Sequence, residues 1–373
     1  MIVCGATGRE GMTHDIQGSV LKILAEFNDP YLDTPLSEYF DGADIADATL
    51  TVRLTFPYAM SGLVQKLATN VEPLLAKLPG ASKARLRVRH VFAQPQRAEN
   101  KAAIAGVKHV VAVASGKGGV GKSTTCANLA LAMAAEGARV GVMDADIYGP
   151  SQPMMLGVPE GTRPGTIDGK QFDPVIAQGL QLNSMGLLSS ANTPMAWRGP
   201  MVAGAVQQLL TQTRWNDVDV LFVDMPPGTG DAQLTLSQQA PLSGSVIVTT
   251  PQDIALLDAR KGIEMFRQVN VPVLGVVENM SVHICSKCGH REALFGAGGG
   301  ESIAEEYDTQ LLGQMPLSLA IRERADGGSP TVVSEPDGEH AKLYRDMARR
   351  IGSMLAASTQ GAPTGPVFSV TDD

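Results

Sequence analysis

Residues 115–125 read Ser-Gly-Lys-Gly-Gly-Val-Gly-Lys-Ser-Thr-Thr, a glycine-rich turn that closes on Lys-Ser. The stretch fits the phosphate-loop pattern G-x-x-x-x-G-K-[ST] through Gly116, Lys117, Gly118, Gly119, Val120, Gly121, Lys122 and Ser123, with Thr124 next to it. Glycines let successive amides turn inward on phosphate oxygens, where a Cβ would block the approach. A following helix points its positive end at the same anion. Lys122 is expected to reach the β- and γ-phosphates of ATP, and Ser123 to hold Mg²⁺. The flanks supply the setting this motif requires. Val107–Ala114 is a β-branched apolar run that reads as a buried parallel strand, and residues 128–136, rich in Ala, Leu and Met, read as a helix. In a chain with 40 glycines the loop alone is a weak signal; strand, loop and helix together are a strong one.

Outward from the loop, the chain alternates strand and helix. Strands are expected at 107–114, 139–144, 180–184, 218–224, 244–250, 272–278 and 310–315, with helices at 199–213, 252–268 and 300–307 among them. That alternation predicts an α/β fold, a mostly parallel sheet with helices on both faces. Residues 13–92 read as a separate small α+β unit: a helix at 14–27, a strand at 46–56 stopped by Pro57, a helix at 61–77 containing Pro73, and a strand at 83–91. In that last strand Lys83, Arg85, Arg87 and Arg89 alternate with apolar residues, giving one basic face. A solvated face is its simplest reading, an anionic partner surface the other. Residues 93–106 are expected to be a linker, 107–355 the nucleotide-binding domain and 356–373 a disordered tail.

Composition narrows the function classes. At 373 residues, 44% hydrophobic and 18% charged, the chain has ample material for a core. A net charge of −8 argues against non-specific nucleic-acid binding. No apolar stretch approaches the length of a membrane-spanning helix, and the N-terminus lacks the basic start and apolar run of a signal peptide. Four cysteines in a chain of this size are not a disulfide framework. A cytoplasmic protein with neither nucleic-acid nor membrane partners is expected.

Ligands of open parallel sheets sit at the carboxyl ends of the strands. One strand ends on Asp144-Ala-Asp146, another on Asp224 followed by Met-Pro-Pro-Gly-Thr-Gly-Asp231. Asp224 fits the carboxylate that holds the water of a phosphate-bound Mg²⁺. Asp146 is the candidate for orienting an attacking water, against the simpler reading of a turn cap. Asn279, just past the strand at 272–278, is a candidate for hydrogen-bonding adenine, against that of a turn asparagine.

The second informative segment is His283-Ile-Cys285-Ser-Lys-Cys288-Gly-His290. C-x-x-C spacing lets two thiolates face one metal, but two sulfurs complete neither a zinc tetrahedron nor an iron–sulfur cluster. Cys126 reads as a small core residue and Cys4 lies near the terminus. Either His283 and His290 complete a zinc site within one chain, or a second copy supplies another cysteine pair across a two-fold axis. A redox dithiol is a third reading.

The double-lysine loop resembles that of the deviant Walker A ATPases, the group that includes MinD, ParA and nitrogenase iron protein. Within it, Met143-Asp-Ala-Asp-Ile-Tyr-Gly-Pro-Ser151, Val223-Asp-Met-Pro-Pro-Gly-Thr-Gly-Asp231 and Glu278-Asn-Met-Ser281 followed by the cysteine pair are similar to the Mrp/ApbC iron–sulfur cluster carriers. The likeness spans roughly 107–350. The segment before it, with Thr55-Phe-Pro-Tyr-Ala-Met60 and Leu78-Pro-Gly-Ala81, resembles the small domain of bacterial members. The resemblance implies a homodimer binding ATP near its interface, with weak hydrolysis and Lys117 reaching the partner's phosphates. It implies that Cys285, Cys288 and their two-fold copies hold a bridging [4Fe–4S] cluster for delivery to apo-proteins. Asp146 and Asn279 then fall on the switch carboxylate and the adenine-side asparagine. Ser286 stands where many members have proline, a change that leaves both thiols in place. The competing readings are a MinD/ParA-like positioning ATPase and an ATPase with a structural zinc knuckle.

Overall fold

The computed structural model describes residues 7–95, 102–147, 149–188, 199–285 and 287–360. The N-terminal unit opens with α1 (Thr7–Leu24) and then forms a three-stranded sheet in the order β1-β2-β3, from β1 (Phe40–Ala46), β2 (Thr49–Phe56) and β3 (Lys83–His90). The helix α2 (Ser61–Leu75) joins β2 to β3, which run parallel. The single strand expected at 46–56 is therefore corrected: it begins inside a hairpin whose turn residues Asp47 and Ala48 both have positive φ, 48° and 56°. Along β2 the apolar side chains Leu50, Val52, Leu54 and Phe56 are all buried, as period two requires of a half-covered strand. Pro73 lies inside α2 without ending it.

From β4 (Val107–Ala114) onward the chain builds an eight-stranded sheet. The helix α3 (Lys122–Ala135) leads to β5 (Val140–Asp144) and the short α4 (Gln152–Met155). A small hairpin, β6 (Gly165–Ile167) with β7 (Gln171–Asp173), precedes β8 (Val175–Ala177), β9 (Leu180–Ser184) and α5 (Met185–Leu188). Then follow α6 (Gly199–Gln212), β10 (Val218–Asp224), α7 (Asp231–Gln239), β11 (Gly244–Thr249), α8 (Asp253–Gln268) and β12 (Val273–Glu278). The cysteine segment forms the hairpin β13 (His283–Ile284) and β14 (Arg291–Glu292). After it come α9 (Gly299–Glu306), β15 (Leu311–Gln314), α10 (Leu319–Asp326), α11 (Thr331–Ser334) and α12 (Glu339–Gln360).

The sheet order is β15-β12-β11-β4-β10-β5-β9-β8, parallel except for β8 against β9. Every residue of β10 and of β11 is buried, as expected of strands covered on both faces. The loop-bearing strand β4 sits between β10 and β11, so the carboxyl ends of three central strands converge on one point. The last helix continues through Gln360, so residues 356–360, expected in the tail, are helical; 361–373 lie outside the described residues.

The small unit is seated against α3 and α12 of the larger unit. One continuous buried cluster runs from Val20 and Leu24 through Tyr58 and Phe92 to Leu129, Tyr344 and Ile351. At its rim Glu136, the residue capping α3, is fully buried. Its carboxylate accepts from Arg345 Nε at 2.7 Å, Arg349 Nη1 at 2.8 Å and the Gly62 amide at 2.7 Å. Gly62 lies in the first turn of α2, where the helix end favours a negative charge. Tyr31 of the small unit donates to Asp346 at 2.6 Å and accepts from Arg349 Nε at 2.8 Å. Glu136→Ala would strand two arginines in a mostly buried site, and removing one member of such a set costs about 3–5 kcal/mol. A loss of that size is expected in urea unfolding, whereas an unchanged midpoint would mean that the contact contributes nothing.

Candidate nucleotide site and cysteine hairpin

The loop leaves β4 at Ser115 and enters α3 at Lys122, so the first turn of α3 is built from the motif itself. Two glycines are dictated by space. A Cβ on Gly116 would lie 2.2 Å from backbone atoms of Asp258 in α8, and one on Gly121 would lie 2.1 Å from Asn279 Nδ2. Gly121 also has φ of +85°. The loop is thus clamped from both sides. Asn279 Nδ2 donates to the Val120 carbonyl at 2.9 Å, a contact that fixes the loop's path.

Inside the loop Lys122 is buried and its ammonium donates to Asp224, at the end of β10. Asp146 Oδ2 stands 3.9 Å from the same nitrogen and Ser123 Oγ 3.2 Å away. Burial opposes the Lys122 charge, but Asp224 and Asp146 outweigh it and raise its pKa. Lys122, Ser123, Asp146 and Asp224 therefore come together as one cluster. Lys117 stands half-buried, with its ammonium 3.4 Å from Gln252 Oε1. Gly118 and Gly119 are exposed, while Val120 is buried beneath the turn.

Asp144 and Asp146 separate in role. Asp144 is fully buried and accepts from the amides of Asp146, Ser151 and Gln152 and from Ser184 Oγ, at 3.0–3.1 Å. Burial, with Asp224 close by, pushes its carboxyl up to about 7. It shapes the loop that carries Asp146, which accepts from the Gly149 amide at 3.3 Å, as a turn cap does, and stands 3.9 Å from the Lys122 ammonium.

The residue that sequence reasoning missed is Gln152. It is fully buried and its Nε2 donates to Asp224 Oδ2 at 2.8 Å and to the Ser123 carbonyl at 3.0 Å. With its backbone amide on Asp144, the residue thus joins the ends of β5 and β10 to the phosphate loop. Its only sequence signal is position, inside the Pro-Ser-Gln-Pro turn just after Asp146.

The hairpin of β13 and β14 carries Cys285 and Cys288 at its tip. The Cys285 amide donates to the His290 carbonyl and the Gly289 amide to the Cys285 carbonyl, both at 2.9 Å, closing the turn. Both thiols are free, Cys285 half-buried and Cys288 exposed. The backbone amides of Lys287 and Cys288 near the sulfur lower the Cys285 pKa, which favours the thiolate that binds metal. Among the described residues no three His, Cys, Asp or Glu side chains gather as a metal site. His283 and His290 are thus not gathered with the cysteines into such a group among the described residues. Cys126 is buried in the core, as expected, and burial raises its thiol pKa well above the usual value. Ser286 and Cys4 lie outside the described residues.

A phosphate loop at the centre of a mostly parallel sheet, faced by carboxylates from two neighbouring strands, defines a P-loop NTPase. The family model described as "ParA: NUBPL iron-transfer P-loop NTPase" matches residues 106–352. The chain belongs to this family. It is 60% identical over 281 residues to an iron-sulfur cluster carrier protein of Pseudomonas fragi, covering 75% of this chain and 98% of that protein. It is 50% identical over 342 residues to the Escherichia coli K12 iron-sulfur cluster carrier protein, covering 91% and 92% respectively. The mouse iron-sulfur cluster transfer protein NUBPL is 47% identical, over 76% of this chain and 89% of its own length.

Among solved structures, a nucleotide-binding protein of Archaeoglobus fulgidus in complex with ADP matches with TM-score 0.55 and 36% identity. The match covers 63% of this chain and 90% of that one. The Pyrococcus furiosus cell division ATPase MinD matches with TM-score 0.50 and 22% identity, over 66% and 99%, a likeness of fold. No described helix is long and apolar enough to cross a membrane.

Proposed function

We propose that the chain is an ATP-dependent carrier of iron–sulfur clusters that acts in the cytoplasm as a homodimer. The observation that carries this reading is the hairpin tip. It holds two free thiols within three residues of each other, with no third ligand gathered around them among the described residues. A second copy across a two-fold axis would double the pair to the four thiolates that a [4Fe–4S] cluster takes. The relatives named as carriers support the same cargo. Two ligands from each chain also suit delivery to apo-proteins, because separating the subunits removes half of the coordination.

In the nucleotide site, the loop amides of 116–124 would cradle the phosphates of ATP while Lys122 exchanges Asp224 for phosphate oxygen. Ser123 would bind Mg²⁺ and Asp224 hold its water. Asp146 would orient the attacking water. Lys117 would reach the partner's phosphates, and Asn279 would face adenine while holding Val120. Hydrolysis is expected to be weak, its purpose being to change the dimer rather than to turn over substrate.

Anaerobic reconstitution of the full chain with iron and sulfide tests the reading. About four irons and four sulfides per dimer are expected, with the absorbance of a [4Fe–4S] cluster and elution as a dimer. Zinc retained by the monomer, lost on His283→Ala/His290→Ala and with no iron taken up, would establish the zinc knuckle instead.

A further inference from the structure

The small unit's sheet has one covered face and one open face. Leu50, Val52, Leu54 and Leu86 turn inward and are buried. The open face carries Thr49, Thr51, Arg53 and Thr55 of β2 beside Lys83, Arg85, Arg87 and Arg89 of β3, paired in that order by the strand register. All four basic side chains of β3 are exposed. The face holds five cations in a chain whose net charge is −8.

Internal counter-ions are too few. Asp44 of β1 pairs with Arg53, and Asp41 stands 3.3 Å from Arg89. Lys83, Arg85 and Arg87 have no carboxylate partner among the described residues. The register also sets Arg53 directly beside Arg87, and like charges in directly opposed positions destabilise a sheet. A face on which three of five cations lack a carboxylate partner among the described residues is the kind of arrangement expected at an interaction site.

We propose that this open face docks an extended acidic segment of a partner protein. Side chains on one face of a strand repeat every ~7 Å, so Lys83, Arg85, Arg87 and Arg89 form a straight row of that period. A second extended chain with carboxylates at alternate positions has the same period. The docking is by side chains rather than by strand addition, because the Leu86 amide at this edge already donates to Glu72 Oε1 at 2.8 Å. Single-stranded nucleic acid fits less well. The eight side chains of the face include no aromatic ring on which a base could stack. The surface lies on a different unit from the cysteine hairpin and stands independently of the cluster reading.

The test uses the full chain and a fluorescein-labelled peptide of alternating glutamate and threonine, with a glutamine–threonine peptide as control. Fluorescence anisotropy at low salt is expected to show binding of the acidic peptide alone, weakening as salt rises. Arg85→Glu/Arg87→Glu is expected to weaken it at least about tenfold. Arg214→Glu/Arg322→Glu, which makes the same change of net charge on the other unit, should leave it within about twofold. Coincident thermal melts would show that both variants fold. Equal loss in the two double variants, or no binding by the wild type, would overturn the proposal and leave a solvated edge strand protected by its charges. Tighter binding of a single-stranded oligonucleotide of equal charge would overturn the choice of partner.

Discussion

Cys285→Ser/Cys288→Ser is expected to take up no iron–sulfur cluster on anaerobic reconstitution while binding ATP as the wild type does. Serine keeps the size and hydrogen-bonding of the side chain but supplies a hydroxyl that stays protonated at neutral pH, where a cluster requires thiolate. The hairpin turn should survive, because it is closed by backbone bonds between Cys285 and His290 and between Cys285 and Gly289. The nucleotide cluster lies on other elements, at the ends of β4, β5 and β10. Each single variant should also fail to hold a stable cluster, since by symmetry it removes two of four ligands from the dimer. Iron and sulfide content with titration of a fluorescent ATP analogue measures both halves of the expectation. Cluster retained at wild-type stoichiometry in the double variant would show that these thiols are not its ligands.

Lys122→Ala is expected to lower ATP hydrolysis by at least about 100-fold, the scale on which a single preorganised charge acts on a developing anion. The ammonium rests against Asp224, with Asp146 at 3.9 Å, so a positive charge is fixed within the loop that would take the phosphates. Its removal leaves the fully buried Asp224 facing only the Gln152 amide, and the variant should also be less stable by about 3–5 kcal/mol. Asp224→Asn separates the two effects. It keeps an oxygen for Gln152 but loses the charge that holds the water of Mg²⁺, so turnover should fall while nucleotide still binds. Release of inorganic phosphate in single turnover, together with urea unfolding, distinguishes these outcomes. Hydrolysis within threefold of wild type in Lys122→Ala would remove the lysine from the chemistry.

Much of this was legible because the signals are local. The phosphate loop is contiguous, and the central strands are buried on both faces, so each reads as a mostly apolar run. The hairpin at Asp47–Ala48 was not legible, since Asp-Ala carries none of the Asn-Gly or Asp-Gly signature of a tight turn. The early start of α3 was hidden because its first turn is the motif itself. Gln152 could not be found from spacing, because its partners Ser123 and Asp224 are 29 and 72 residues away. Glu136 was harder still. A glutamate at a helix end reads as solvated, and only the fold brings Arg345 and Arg349 to it across more than 200 positions.

The seam between the small unit and the sheet has a consequence for how the molecule can be divided. Gly352 of α12 lies so close to Tyr58 that an added Cβ would meet that residue's Cβ at 3.3 Å, and the buried cluster crosses the seam without a polar break. A chain cut near residue 95 would have all the strands of the larger sheet, yet it would present to water the apolar bed that Tyr58, Phe56 and Met60 now cover, with Glu136 deprived of the Gly62 amide and Asp346 and Arg349 deprived of Tyr31. What reads along the chain as a detachable module is, in energetic terms, one side of a single core: the two parts should melt in one transition, and neither inherits the stability of the whole.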